Sequence, residues 1–203
     1  MQLIGMLDSP YVRRTGISLR LLGVPFEHQA VSVFRTFEQF KGINPVVKAP
    51  TLVCDDGTLL MDSNLIIDYA ETLASRSLLP ASPEARKQAL RVVGLGLAAC
   101  EKAIQIVYEH NLRPSEKWHE PWLTRVTGQL NAAVAGLEAE LTRVPLSADE
   151  RSITQAGITT AVAWRFIQEM VPQVVPASEH PRLVAYSAAA ERLPVFKAVP
   201  YQE

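Results

Sequence analysis

The amino-acid sequence predicts an α/β N-terminal domain followed by an all-α C-terminal domain. Up to about residue 76, short apolar runs bounded by turn residues alternate with helical patterns, which is typical of a small layered α/β domain. From residue 84 onward the apolar residues recur every three or four positions, as in amphipathic helices. Residues 77–83 carry two prolines and no period. We therefore predict domains at residues 1–76 and 84–203, joined by a linker at 77–83.

The first domain is predicted to run strand, helix, strand, helix, hairpin, helix. Ser9 and Pro10 predict a helix start, because serine is a preferred N-cap and proline fits the first helical position. Asp56-Gly57 between two apolar runs predicts a β-hairpin. The predicted elements are the strand Gln2–Leu7, a helix from Ser9-Pro10, the strand Phe26–Val33, the helix Arg35–Gly42, the strands Thr51–Asp55 and Thr58–Met61, and a helix from Asn64 to about Ala74. This order is a thioredoxin-like layout.

The second domain is predicted to be a helical bundle. Two stripes of apolar residues at helical spacing, over 90–107 and 123–144, predict two long helices that pack together. A third helix from Thr154 to about Val171 is apolar on most faces, which suits the centre of a bundle. A last helix is predicted over Pro181–Arg192.

A second apolar line on the first long helix predicts a homodimer. Val92, Leu95 and Ala99 lie beside the main stripe of that helix and add more apolar surface than one bundle face needs. A two-fold dimer would bury this surplus.

The start of the third bundle helix lacks a residue that would complete its cap. Thr154 is a good N-cap, but its N3 partner is Gly157, which has no side chain to close a capping box. Gly157→Asp is therefore expected to stabilise the protein, by about 0.5–2 kcal/mol. The competing interpretation is that a neighbouring helix passes too close for a Cβ, in which case the substitution destabilises through overpacking.

Composition and charge exclude several classes of function. A net charge of −1 gives no electrostatic reason to expect nucleic acid or an anionic membrane as a partner. The opening residues have no basic segment followed by an apolar run, so we expect no signal peptide. The two cysteines fall in a predicted strand and a predicted helix, which favours reduced thiols and a cytoplasmic protein. The four histidines show no ligand spacing, so we predict no metal.

Residues 47–69 contain the strongest candidate site. The backbone around Ala49-Pro50 is predicted to lie close to the unpaired helix N–H groups of Ser63 and Asn64, which bind a carboxylate well. Asp62 beside them could hold an ammonium group. A carboxylate site, an ammonium site and an exposed strand edge together suit a small peptide.

Two segments of this region resemble the glutathione-binding motifs of the soluble glutathione S-transferases. They are Lys48-Ala49-Pro50-Thr51-Leu52 and Asp62-Ser63-Asn64-Leu65-Ile66. The resemblance implies a cis Pro50, whose preceding residue, Ala49, pairs through its backbone with the cysteinyl part of glutathione. It also implies that Asp62 and Ser63 bind the γ-glutamyl end. It further implies a homodimer.

The resemblance also assigns a residue to the glutathione thiol. Ser9 matches the serine-type members of the family, in which the hydroxyl donates to the thiolate; as a plain N-cap it would contribute about 1 kcal/mol. Tyr11 is the rival for this role, or a wall of the electrophile pocket, and Tyr108 lies where the family places that pocket. Lys48 is either solvated or bound to the glycyl carboxylate of glutathione.

The sequence thus predicts a glutathione transferase that attacks a soft, hydrophobic electrophile with the glutathione thiolate. Glutathione supplies the sulfur, so no protein nucleophile is needed. One alternative is glutathione-dependent reduction of peroxides or disulfides at the same site. Another is a non-catalytic interaction module of the same fold, because fold alone does not settle function.

Overall fold

The computed structural model describes residues 1–202, which divide into two compact units. The first unit comprises Met1–Leu78 and the segment from Leu193 onward, and the second comprises Leu79–Arg192. The predicted helical domain, residues 84–203, includes that last segment. The segment packs instead on the first unit, where the buried Arg13 donates from Nε to the carbonyl oxygen of Val199 at 2.9 Å.

The first unit is built on a four-stranded mixed sheet in the order β2-β1-β3-β4. Strand β1 runs parallel to β2 and antiparallel to β3, and β3 pairs antiparallel with β4. The strands are β1 (Gln2–Ile4), β2 (Glu27–Gln29), β3 (Thr51–Val53) and β4 (Leu59–Met61). All four are shorter than predicted. Strand β1 ends before Gly5 because a φ of +139° at Gly5 departs from extended backbone.

Helices cover this sheet and complete the predicted thioredoxin-like layout. They are α1 (Pro10–Leu21), α2 (Phe37–Ile43), α3 (Ser63–Leu73) and the short C-terminal α8 (Pro194–Lys197). Ser9 is the N-cap of α1, with Pro10 at the first helical position, as predicted. Fully buried apolar residues from the sheet and from two helices form the core, among them Leu3, Leu52, Ile17 and Ile66.

The second unit is helical, as predicted. Its helices are α4 (Pro83–Leu112), α5 (Glu120–Arg143), α6 (Gln155–Met170) and α7 (Pro181–Ala190), with short 3-10 turns at Ser115–Lys117 and Ala177–Glu179. Most residues of α6 are buried, which confirms its predicted central place. Gly96 brings α4 close to α6, since a Cβ there would lie 2.8 Å from Cγ2 of Thr159. The predicted fold class, a thioredoxin-like unit followed by a helical one, is confirmed.

The apolar line on α4 that predicted a homodimer packs inside the helical unit. Val92 and Ala99 are buried, and the side chain of Leu95 packs against Gly136 of α5. The interpretation of this line as surplus surface is therefore wrong. Leu90, which we assigned to the main buried stripe, is 48% exposed instead.

The capping interpretation of Gly157 is also wrong. Thr154 is the N-cap of α6, but its side chain makes no capping hydrogen bond. A Cβ on Gly157 would lie 2.2 Å from the hydroxyl oxygen of Tyr186 on α7. That hydroxyl donates to the carbonyl oxygen of Ser147 at 3.1 Å, and burial raises the pKa of Tyr186, so it stays protonated. Gly157 is small because Tyr186 passes too close for a side chain.

A charged cluster joins α4 to α5. The carboxylate of Glu140, nearly buried, accepts hydrogen bonds from Arg91 at 2.5 Å, from Arg143 at 2.7 Å and from Gln88 at 2.6 Å. The two guanidinium groups, that of Arg91 above all, lower the pKa of Glu140 from 4.5 to about 2. The carboxylate is therefore ionised in the folded protein at any pH near neutrality.

None of the helices within residues 1–202 is long and apolar enough to cross a membrane.

Candidate functional site

The N-terminus of α1 presents the Ser9 hydroxyl. Its Oγ accepts the N–H of Val12 at 3.4 Å, and Ser9 is half-buried. A hydroxyl that accepts in this way keeps its hydrogen for a second acceptor, and a helix N-terminus favours an anion. Tyr11, in the first turn of α1, is half-buried as well. The start of α1 can therefore stabilise a thiolate or another small anion.

A buried hydrogen-bond network fixes the loop before β3. Asn44 donates from Nδ2 to Oγ1 of Thr51 at 2.8 Å, and Thr51 donates to the carbonyl oxygen of Lys48 at 2.7 Å. Asn44 also accepts the N–H of Val46 at 3.0 Å. Neither role was predicted from the sequence, where Asn44 lies between two predicted elements and Thr51 belongs to a predicted strand and to a motif. The network holds the loop that carries Ala49, and the Ala49-Pro50 peptide bond is cis, as the resemblance implied.

Gly5 brings this loop against α1. A Cβ on Gly5 would lie 2.6 Å from Cγ2 of Val12 and 3.2 Å from Cβ of Ala49, so only glycine fits between them. The positive φ of Gly5 favours glycine for a second reason. As a result, the backbone of Ala49 lies beside the first turn of α1, the turn that Ser9 caps.

The N-terminus of α3 supplies the acidic part of the site. Asp62 is the N-cap, and its Oδ1 accepts the N–H of Asn64 at 2.9 Å. The N–H of Asn64, which was predicted to be available to a ligand, is therefore already paired. The N–H of Ser63 belongs to the first-turn groups that lack an intrahelical acceptor. Oδ2 of Asp62 lies 3.9 Å from Nζ of Lys48, and both side chains are about half exposed. The Asp62 carboxylate is thus within reach of an ammonium group.

Arg14 links α1 to α3, and sequence reasoning missed it. Its Nη1 donates to Oγ of Ser63 at 2.9 Å and to Oδ1 of Asn64 at 2.7 Å. Arg14 is only 3% exposed and Ser63 only 2%. The available signal was the pair Arg13-Arg14 inside a helix whose other middle positions are mostly apolar or small. A buried arginine usually has partners that fix its place.

The structure thus brings most of the predicted site residues together in the first unit. Contacts through Gly5, Arg14 and Lys48 connect the starts of α1 and α3 and the loop between them. Tyr108 lies on α4 of the second unit and is 42% exposed, and its role stays a prediction. Within residues 1–202, no group of three or more His, Cys, Asp or Glu side chains is placed to hold a metal ion.

Comparison with known proteins agrees with this arrangement. Residues 3–78 match the family model described as "Glutathione S-transferase, N-terminal domain". A glutathione transferase family member from Pseudomonas fluorescens Pf-5, solved with bound S-(propanoic acid)-glutathione, is 27% identical in sequence. It superposes with a TM-score of 0.84, over 100% of both chains. Residues 3–78 are thus similar to the N-terminal domain of glutathione S-transferases, and the whole chain is similar in fold to a solved member of that family.

Relatives by sequence come from bacteria and plants. YibF, an uncharacterized GST-like protein of Escherichia coli (strain K12), is 26% identical over 173 residues, which cover 85% of each chain. Glutathione S-transferase U2 of Arabidopsis thaliana is 31% identical over 121 residues, and this match spans 53% of each chain.

Proposed function

We propose that the protein is a serine-type glutathione transferase, in which the glutathione thiolate attacks a soft, hydrophobic electrophile. The observation that carries the proposal is the Ser9 hydroxyl at the start of α1, since it can donate to a sulfur anion while its oxygen caps the helix. The glutathione derivative bound by the Pseudomonas fluorescens relative supports the same ligand class.

Each end of glutathione has a matching group in the first unit. The N–H and hydroxyl of Ser63 suit the γ-glutamyl carboxylate, at the positive end of α3. Asp62 suits the γ-glutamyl ammonium, and its 3.9 Å contact with the Lys48 ammonium supports this choice. The backbone of Ala49 would pair with the cysteinyl residue. Once the γ-glutamyl ammonium takes its place beside Asp62, the Lys48 side chain would turn to the glycyl carboxylate.

In the proposed reaction the sulfur supplies an electron pair. The thiol first loses its proton to solvent, and the thiolate then forms a C–S bond while the leaving group departs with the electrons of the bond that breaks. A free thiol has a pKa near ~8.5, and lowering it by about two units requires roughly 2.7 kcal/mol of preferential binding of the anion. One hydroxyl donor and the dipole of α1 are sufficient for that.

Calorimetric titration with glutathione tests the binding part of the proposal. Ser63→Ala should weaken binding by about 1–3 kcal/mol, because a charged group loses a hydrogen bond. Ser82→Ala is the matched control, because Ser82 caps α4 in the second unit. Wild-type affinity in Ser63→Ala, or no binding by the wild type, contradicts the assignment.

Assays of the wild type with glutathione and a panel of acceptors test the reaction. Conjugation of a chlorinated nitrobenzene or a similar aromatic electrophile is expected. Turnover confined to peroxides or disulfides would favour the reductase, and binding without turnover on any acceptor would favour the interaction module.

We also propose a cytoplasmic homodimer. Neither Cys54 nor Cys100 forms a disulfide, in keeping with a reducing compartment. Support for the dimer comes from α3, where Leu65, Tyr69 and Leu73 recur every four residues and are 62%, 37% and 51% exposed. A second copy would bury this apolar row. Light scattering that gives a monomer at micromolar concentration would exclude the dimer.

A further inference from the structure

Arg14 is a buried cation that donates two hydrogen bonds to residues of the candidate ligand site. It lies in the second turn of α1, and its Nη1 contacts both Ser63 and Asn64 at the start of α3. We infer that Arg14 is a positioning residue that makes this site selective for a free γ-glutamyl carboxylate. The inference rests on the proposed function and adds the origin of its ligand selectivity.

The hydrogen bonds of Arg14 have a fixed direction. A guanidinium only donates, so Oγ of Ser63 and Oδ1 of Asn64 must both accept from Arg14. The Ser63 hydroxyl then directs its own hydrogen to another acceptor, and the Asn64 side chain keeps its NH2 group as a donor. Arg14 therefore leaves the two side chains as donors toward a ligand, which is what a carboxylate needs.

The charge of Arg14 acts on the ligand as well. Arginine stays protonated at any working pH, and interactions with a buried charge are screened less than those at the surface. The guanidinium donates to the Ser63 hydroxyl, and that hydroxyl is the proposed donor to the ligand. It favours an anion there over a neutral group of the same shape. A carboxamide in place of the carboxylate lacks the charge, and its NH2 group would face the donors of the site.

A pair of ligands isolates this effect. Glutathione and its analogue with a carboxamide in place of the γ-glutamyl α-carboxylate are titrated into each variant by calorimetry. The wild type should prefer glutathione by about 10- to 100-fold, the range of a hydrogen bond to a charged group. In Arg14→Met the preference should fall to within about threefold, since both the donor orientation and the charge are lost. A general loss of stability would weaken both ligands alike and leave the ratio unchanged.

Arg13→Met is the matched control. Arg13 is the neighbouring buried arginine of α1, but its Nε donates to the carbonyl oxygen of Val199 rather than to α3. Removing it costs stability without touching Ser63, so the ratio of the two affinities should stay at the wild-type value. If Arg14→Met does not fold, Arg14→Lys and Arg14→Gln replace it. The lysine keeps the charge and should keep part of the preference, whereas the neutral glutamine should lose it.

A double-mutant cycle tests whether Arg14 acts through Ser63. In a Ser63→Ala background, the Arg14 substitution should change the preference by much less than it does in the wild type, because the hydroxyl it orients is gone. An undiminished preference in Arg14→Met, or in Arg14→Gln, overturns the inference and leaves the proposed function standing. A wild type that binds no glutathione overturns both.

Discussion

Gly157 allows a direct test of how α6 and α7 pack. Gly157→Ala would place a methyl group 2.2 Å from the Tyr186 hydroxyl and 3.0 Å from Cγ1 of Ile153. Tyr186 cannot move away without losing its hydrogen bond to Ser147, because its rigid ring is buried. The substitution therefore forces strain, the loss of that bond, or both.

The magnitude follows from opposing contributions. Overpacking costs about 1–3 kcal/mol, and loss of the Tyr186 hydrogen bond adds about 1 kcal/mol. Alanine in place of glycine in a helix returns roughly 0.5–1 kcal/mol. We expect Gly157→Ala to lower the free energy of unfolding by about 1–3 kcal/mol, and the larger Gly157→Asp to lower it at least as much.

Denaturant unfolding of four proteins decides the matter. They are the wild type, Gly157→Ala, Tyr186→Phe and the double variant. Tyr186→Phe removes the oxygen that the methyl group would meet, and the ring carbon behind it would lie 3.4 Å away, an ordinary contact distance. In that background only the 3.0 Å contact with Cγ1 of Ile153 remains tight, so Gly157→Ala should cost clearly less, with a coupling of at least about 1 kcal/mol. A Gly157→Ala protein as stable as the wild type, or an equal cost in both backgrounds, refutes the reasoning.

Two further predictions concern the bundle and the site loop. The pKa of Glu140 is lowered on folding, so its stabilisation is complete above its ordinary value of 4.5 and is lost as the pH falls toward about 2. This shift in pKa corresponds to about 3 kcal/mol, which we reduce to about 1–2 kcal/mol because the arginine partners are more than half exposed. The free energy of unfolding, measured as the pH is lowered, should fall by this amount, and Glu140→Gln should abolish this pH dependence. Asn44→Ala should lower the free energy of unfolding by about 1–3 kcal/mol, because Thr51 and the N–H of Val46 lose a buried partner. It should also weaken glutathione binding, whereas wild-type affinity by calorimetry would mean that the loop is held by other contacts.

Local signals predicted most of the fold. Ser9-Pro10 begins α1, and Asp56-Gly57 lies in the turn between β3 and β4, as predicted. Both predictions succeed because a helix start and a tight turn depend on neighbouring residues alone. The ends of the strands were predicted less well. Strand β1 stops at Gly5, and the reason for that glycine, contact with Val12 and Ala49, depends on residues far along the chain.

The failures in the second unit have the same origin. A stripe of apolar residues at helical spacing does not show which neighbour covers each residue. Leu90, predicted to be buried in the bundle, is therefore exposed, and Val92, predicted to lie on surplus surface, is buried. Gly157 looked like a missing cap because its close neighbour, Tyr186, is 29 positions away in sequence. In the site, the motif residues were predicted by resemblance, whereas the supports Arg14 and Asn44 act through hydrogen bonds that no local pattern reveals.

The pKa of the thiol of bound glutathione tests the central claim most directly. Ser9 and Ser82 both precede a proline at a helix start, and each accepts the N–H three residues on, at 3.4 Å and 3.3 Å. Ser9→Ala and Ser82→Ala therefore lose the same kind of cap. We predict that the thiolate absorbance of the glutathione complex titrates about two units below the free value of ~8.5 in the wild type and in Ser82→Ala, and well above that in Ser9→Ala. A bound thiol that titrates like free glutathione in the wild type, or identically in Ser9→Ala and the wild type, would contradict the assignment of Ser9 to the thiolate.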